Sequence, residues 1–267
     1  MNNLQQLLQE IVETSFGIPY LGLDIRPFLK KLEERNSSLV KVHNTFGCSE
    51  EGYPIYVIEV GHSEKRLVSF GRIHGDEEST TLGILETASF LTSDKKLAKR
   101  LLEKCSFVGV PLVNPDGAHK SQRYNSKNID INRDFGRYFI FFGSNLKSKE
   151  SNAVKNILEH FKPSYILDHH DAYGRASTVF GNKGNDDLKN MAETSVVDVM
   201  KKKGYDAFYK KLDSRAASAG QLVNYSSKRH CSSTIVEVGY SSSSLMQRRV
   251  DMHAGSDLVT MTIIGYL

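Results

Sequence analysis

Two imidazoles and a carboxylate aimed at one point can hold a divalent cation, and a second carboxylate beside them can move protons. This chain carries residues for both. His74 and Glu77 lie three apart in Ser69-Phe70-Gly71-Arg72-Ile73-His74-Gly75-Asp76-Glu77-Glu78, where an apolar strand runs through a glycine turn toward a helix. A tight turn or a first helical turn would bring that imidazole and carboxylate to one side. The same spacing also arises from a surface histidine beside helix-start acids that favour the macrodipole, so the pair informs only with further partners.

Such partners follow. Tyr165-Ile166-Leu167-Asp168-His169-His170-Asp171 is an apolar strand ending in four groups able to bind a metal or protons. Successive side chains of a strand face opposite sides, so no more than one of His169 and His170 can join His74 and Glu77. In Ser233-Thr234-Ile235-Val236-Glu237-Val238-Gly239-Tyr240, Glu237 sits inside an otherwise apolar run. Burying a carboxylate without a partner is costly, which predicts that Glu237 faces a cleft, a cation or a metal's water, with a buried salt bridge as the alternative. Asn114-Pro115-Asp116-Gly117 reads as a turn after a strand. Beyond it, Arg123, Asn132 and Arg133 place guanidinium and amide groups in a polar loop. Arginine can grip a carboxylate bidentately with an asparagine beside it, or the loop can be tied together by Asp–Arg pairs.

Strand ends beside helix starts are needed to hold these groups, and the apolar pattern supplies them. Residues 1–38 read as a helical N-terminal extension packed on the domain, with Leu4, Leu7, Leu8, Ile11 and Val12 at helix spacing before the Gly17-Ile18-Pro19 break. Residues 39–267 read as one catalytic domain. Tyr53 to Val60 and Leu67 to Phe70 are adjacent strands separated by Gly61-His62-Ser63, followed by a helix over Thr80 to Leu91 and a buried strand over Phe107 to Val113. A helix over Asn152 to Phe161, a strand from Tyr165, a helix over Leu188 to Met200, a strand over Thr234 to Val238 and a helix over Leu245 to Ile264 complete the series. That alternation predicts an α/β fold with a mixed, mainly parallel sheet between helices.

Composition narrows the class of molecule. At 267 residues, 39% hydrophobic and 25% charged, the chain has the make-up of a globular protein able to bury a core without staples, so a metal would serve chemistry. The net charge of +4 is spread over doublets such as Lys210-Lys211 and Arg248-Arg249, without a basic stripe or nucleic-acid-binding motif. Cys48, Cys105 and Cys231 show no paired spacing, and the start of the chain lacks a basic patch followed by an apolar run. These features lead to the expectation of a cytoplasmic protein without nucleic-acid or membrane partners.

Taken together, His74-x-x-Glu77, Asn114-Pro115-Asp116-Gly117, Arg123 with Asn132-Arg133, Asp168-x-His170 and Glu237 resemble, in that order, the zinc carboxypeptidases of the M14 type. The resemblance covers Tyr53 to Tyr240. Within the group, the compact size and the loop from Gln122 to Phe135 are most similar to bacterial murein-peptide amidases. The resemblance implies a single domain with an eight-stranded mixed sheet and one zinc ion at its edge, completed by a water. It implies His74, Glu77 and His170 as ligands, His170 being preferred to His169 because Asp168 stands two positions before it. Glu237 would be general base and later proton donor, Arg123 would stabilise the oxyanion, and Asn132 and Arg133 would grip the terminal carboxylate of a peptide or amide substrate.

Gly220-Gln221-Leu222-Val223-Asn224-Tyr225 resembles the wall of the family's specificity pocket. Tyr225 is one candidate for the family's mobile tyrosine. Alignment through Gly220 instead places Arg215 near that position, which implies an acidic or carboxylate-rich substrate; an unchanged preference in Arg215→Ala would sink that idea. A zinc-dependent deacylase of N-acyl amino acids, similar to the aspartoacylase and succinylglutamate desuccinylase group, shares much of the pattern, although the Asn-Pro-Asp-Gly turn favours peptides. A catalytically silent peptide-binding module would lack a ligand or the base, and this sequence contains all of them.

Overall fold

The computed structural model describes residues 3–14, 23–135, 146–181, 187–211, 221–223, 231–240 and 246–266. Eight strands form one sheet: β1 (Val40–His43), β2 (Val57–Val60), β3 (Arg66–Phe70), β4 (Ser106–Val110), β5 (Tyr165–Tyr173), β6 (Ser177–Gly181), β7 (Ala207–Lys211) and β8 (Ser232–Tyr240). Their spatial order is β1-β2-β4-β3-β5-β8-β6-β7. The central strands β4, β3, β5 and β8 are mutually parallel, while β1, β2 and β6 pair with their neighbours antiparallel on at least one side. The predicted mixed, mainly parallel sheet is therefore present.

Parallel neighbours require crossovers, and these are the helices. Between β3 and β4 lie α3 (Glu78–Leu91) and α4 (Lys96–Leu102); α5 (Pro115–His119) and α6 (Lys149–Phe161) precede β5. Between β6 and β7 lies α7 (Asp187–Lys202), and α8 (Met246–Tyr266) follows β8. The central strands carry apolar residues toward both layers. Leu67, Phe107, Leu167 and Val236 join α3, α7 and α8 in one buried cluster, whereas Val68, Val108 and Ile166 join Ala153, Val154, Ile157 and Phe161 of α6 in another. At the N-terminus α1 (Asn3–Glu13) and α2 (Arg26–Arg35) bury Ile11, Leu29 and Leu32 in the first cluster. The Gly17-Ile18-Pro19 break lies outside the described residues.

Several boundaries differ from the sequence reading. Asn114-Pro115-Asp116-Gly117 opens a helical turn instead of a simple turn: the Asn114 side chain accepts from Gly117 N at 2.9 Å, and Pro115 takes the first helical position, where its missing N–H costs nothing. β2 begins at Val57 and not at Tyr53, because the preceding residues pair only locally, at Pro54 with Cys48. β5 runs on through both histidines to Tyr173. All three cysteines are free. No helix among the described residues is long and apolar enough to cross a membrane.

Candidate metal centre

The parallel strands β3, β5 and β8 end on the same edge of the sheet, where side chains and following loops converge. After β3 the chain turns sharply. Arg72 takes a left-handed backbone (φ 52°), its Nε donates to Gly75 O at 2.8 Å, and its N–H donates to Thr80 Oγ1 at 2.7 Å. Gly75 is forced by close approach, since a Cβ there would overlap the backbone of Gly117 and Ala118. Glu77 is the residue before α3, its backbone nonhelical, and its N–H donates to His74 O at 3.2 Å. A turn thus carries His74 and Glu77 to one point.

Along β5 the period of two separates the histidines. Ile166 faces α6, and Asp168 and His170 follow on that side; Leu167 packs in the opposite cluster, and His169 follows it there. His170 therefore reaches the His74–Glu77 pair. His74 Nδ1 is 2.7 Å from Glu77 Oε1, His170 Nδ1 is 2.8 Å from Glu77 Oε2, and the two Nδ1 atoms are 3.1 Å apart. All three residues are buried, and they form a group of potential ligands within 4.8 Å of one another.

The outer nitrogens of both rings meet carboxylates. His170 Nε2 is 3.1 Å from Asp168 Oδ2, and His74 Nε2 is 3.4 Å from Asp130 Oδ1, within ion-pair reach but without hydrogen-bond geometry. Arg123 Nη1, which can only donate, stands 3.2 Å from His74 Nδ1. Burial opposes the Glu77 charge, but the charges and hydrogen bonds of His170 and His74 outweigh it and bring the carboxyl down to about 2. Burial likewise works against the His170 cation, yet Asp168 and Glu77 raise its pKa well above the ordinary range. Burial alone would raise Asp130; His74 and Arg123 hold it well below ordinary carboxylates.

This donor set fits zinc. Two ligands about 2.0–2.1 Å from one ion at a tetrahedral angle stand about 3.3 Å apart, close to the nitrogen separation found here. Two imidazole nitrogens, one carboxylate, carboxylates behind both rings and an open side toward a cleft are the features of a catalytic site. The cleft, of about 310 Å³, brings together His74, Glu77, Arg123, Asn132, Arg133, His170 and Glu237. Residue pairing between parallel strands sets Glu237 directly beside His170, and among the described residues the Glu237 side chain makes no hydrogen bond or ion pair.

Other expected site residues are placed less simply. Asn132, expected to grip a substrate carboxylate, is 2% exposed: its Oδ1 accepts from Leu222 N at 3.0 Å and its Nδ2 donates to Asp168 Oδ2 at 3.2 Å. Its amide braces the His170–Asp168 pair, while neighbouring Arg133 is exposed. Arg123 combines both readings of its loop, pairing with Asp130 at 2.9 Å and lining the cleft. Arg215 and Tyr225 lie outside the described residues. Sequence reasoning gave no role to Asp130, whose signal is the need of metal-binding histidines for a carboxylate behind them, or to Arg175, which also lines the cleft.

On the other side of β5, His169 enters a buried network. Its Nε2 is 2.9 Å from Asp257 Oδ1, and its Nδ1 is 3.0 Å from Nδ1 of His253, whose Nε2 is 3.2 Å from Asp171 Oδ1. Ser79 and Arg249 donate to Asp171 at 2.6 and 2.9 Å. Burial, with the His169 charge, keeps His253 below the ordinary imidazole range despite Asp171.

Comparison with known proteins agrees with this geometry. A family profile described as zinc carboxypeptidase matches residues 25–256. Carboxypeptidase SOL1 of Arabidopsis thaliana is 29% identical over 150 residues, 52% of this chain and 30% of that protein. Carboxypeptidase 2 of Trichophyton tonsurans is 30% identical over 167 residues, 58% of this chain and 29% of that protein. The matches thus span less than a third of these relatives' lengths. The fold is similar to that of a metallo-carboxypeptidase from Burkholderia cenocepacia (TM-score 0.75, 18% identity, covering 92% of this chain and 69% of that one). It is equally similar to bovine thrombin-activatable fibrinolysis inhibitor (TM-score 0.75, 17% identity, covering 93% and 97%).

Proposed function

This chain belongs to the zinc carboxypeptidase family, and from that premise we propose that it hydrolyses a peptide or amide bond next to a free C-terminal carboxylate. The observation that carries the proposal is the β5–β8 register, in which Glu237, whose side chain has no partner among the described residues, stands beside His170 of the candidate ligand group. His74, Glu77 and His170 would hold the ion. When bound, zinc supplies the Lewis acidity that makes attack of water on an amide feasible near neutral pH.

The remaining steps belong to the chain's own groups. Glu237 takes a proton from the attacking water as the new C–O bond forms, then delivers it to the nitrogen as the C–N bond breaks. Arg123, held by Asp130, directs a guanidinium N–H at the oxygen that gains charge. Arg133 has no anionic partner among the described residues and pairs with the substrate's terminal carboxylate, fixing which bond is attacked. Asn132 holds His170 and Asp168 in place behind the ion.

The test uses zinc-loaded protein, with and without a chelator, on peptides with free C-termini, murein tripeptide and N-acyl amino acids, with products read by mass spectrometry. Chelator-sensitive loss of a C-terminal residue is the expected result, and cleavage of the murein peptide would place the chain with the amidases. Cleavage confined to N-acyl amino acids would select a deacylase, and binding without cleavage a silent module. Glu237→Gln should retain zinc and bind peptide while turnover falls by about 10²–10⁴-fold. Near-normal turnover in that variant would remove Glu237 from the proton transfer.

A further inference from the structure

Beyond the metal centre the cleft adjoins a second, basic crevice of about 190 Å³, and Arg175 belongs to the walls of both. The other two arginines of that crevice are engaged. Arg249 Nη1 is 2.9 Å from Asp171 and its guanidinium lies 4.1 Å over the Tyr240 ring, while Arg248 lies 5.0 Å over Tyr205. Arg175 is exposed and makes no hydrogen bond or ion pair among the described residues. Its backbone is held even so. Gly174 N donates to Tyr240 O at 2.7 Å, Gly239 N donates to Ser177 Oγ at 3.1 Å, and a Cβ on Gly239 would overlap the carbonyl of Arg175. A guanidinium without a partner among the described residues is thus presented to the cleft from a turn pinned against the end of β8.

Counting charge in the cleft shows what that guanidinium lacks. Glu77 belongs to the ligand group, Asp171 is paired with Arg249, and Arg123 is paired with Asp130. Asp206, the carboxylate of the adjoining crevice, forms no ion pair with Arg175, so once a terminal carboxylate is seated on Arg133 and Glu237 is reserved for the proton, Arg175 remains a cation without an anionic partner among the described residues. We propose that Arg175 is a specificity-determining residue that binds a second carboxylate of the substrate, so that peptides with an acidic side chain near the cleaved bond are preferred over neutral ones. This rests on the carboxypeptidase reading. A guanidinium fork offers a carboxylate two parallel donors, and the walls of a cleft shield that pair from salt better than an open surface does.

The test uses two pairs of peptides of equal length, Glu against Gln at the C-terminal position and at the position before it. Binding is measured by calorimetry on zinc-loaded Glu237→Gln protein, with and without Arg175→Ala or Arg175→Lys; hydrolysis is measured on the unaltered chain. At one position the Glu peptide should bind about tenfold tighter than its Gln twin, a ratio that Arg175→Ala brings to about one and Arg175→Lys partly keeps. The ratio should shrink as salt is raised, and the unfolding temperature of Arg175→Ala should match that of its parent. Equal binding of the twins, or a ratio untouched by Arg175→Ala, overturns the inference. If both twins are cleaved with the same kcat/KM, the carboxypeptidase reading stands and the role of Arg175 falls. If neither is cleaved but the Arg175-dependent ratio is found, the second-carboxylate site stands and the hydrolase reading falls.

Discussion

His169 and His170 are neighbours in sequence and face opposite sides of β5, so replacing each probes a different part of the molecule. His170→Ala removes one of the three proposed ligands, and the purified variant should contain almost no zinc by elemental analysis. His169→Ala should keep its zinc but lose about 3 kcal/mol of unfolding free energy, because Asp257 is left as a buried charge without its imidazole partner. Zinc retained in His170→Ala and lost in His169→Ala would transfer the ligand role. The carboxylates behind the rings act through orientation: Asp168→Asn and Asp130→Asn should each weaken zinc by about 10–100-fold in competition with a chromogenic chelator. An unchanged affinity would mean that packing alone orients the imidazoles.

The loop between β3 and α3 can carry His74 and Glu77 only because Gly75 lets it touch the start of α5. Gly75→Ala forces the two apart, with an expected loss of about 1–3 kcal/mol in chemical unfolding together with lower zinc occupancy. Elements with strong patterns were legible from sequence: α3, α6, α7, β5 and β8 carry apolar residues at helix spacing or in buried runs. β7 was not, because only Ala207 of its five residues is buried, and an edge strand with one wet face and few neighbours imposes no alternation. Nor was α4, whose seven residues interleave Lys96, Lys99 and Arg100 with the core residues Leu97, Ala98 and Leu101 over too short a span to show a period. At the candidate site, residue types and spacing singled out His74, Glu77 and Glu237 only in combination, and the fold brings them to one cleft. The choice of His170 over His169 depended on the face each presents, and the pairing of Asp130 with His74 depended on folding of a loop that no periodicity describes.

Taken as a whole, the molecule is fastened across sequence by groups that respond to pH and metal. Glu150, at the start of α6, accepts from Glu50 N and from Asn125 Nδ2, joining three distant segments. Burial raises its carboxyl above the ordinary 4.5, so folding favours the protonated form. Its contribution is fully present below pH 4.5 and is lost as pH rises through the higher folded value; the difference in unfolding free energy between the unaltered chain and Glu150→Gln should decline over that window. A parallel-shifted pair of curves would exclude Glu150 as the titrating group. Zinc binds the folded chain, so a chelator should lower the unfolding temperature and added zinc restore it, with about 4 kcal/mol available at a thousandfold excess over Kd. Identical melting with and without chelator would deny the ion any part in holding the fold. The alignment of His170 with Glu237 also bears on how this scaffold could be altered. The backbones that carry the proposed ligand and base are separated by the repeat distance of the sheet itself, about 4.8 Å, which is set by the backbone lattice and shared by every pair of adjacent strands. Exchange of the surrounding loops leaves that distance untouched, so grafting a foreign turn between β5 and β6 should redistribute KM among peptides while kcat changes little, making the sheet edge a fixed reaction jig with interchangeable fittings.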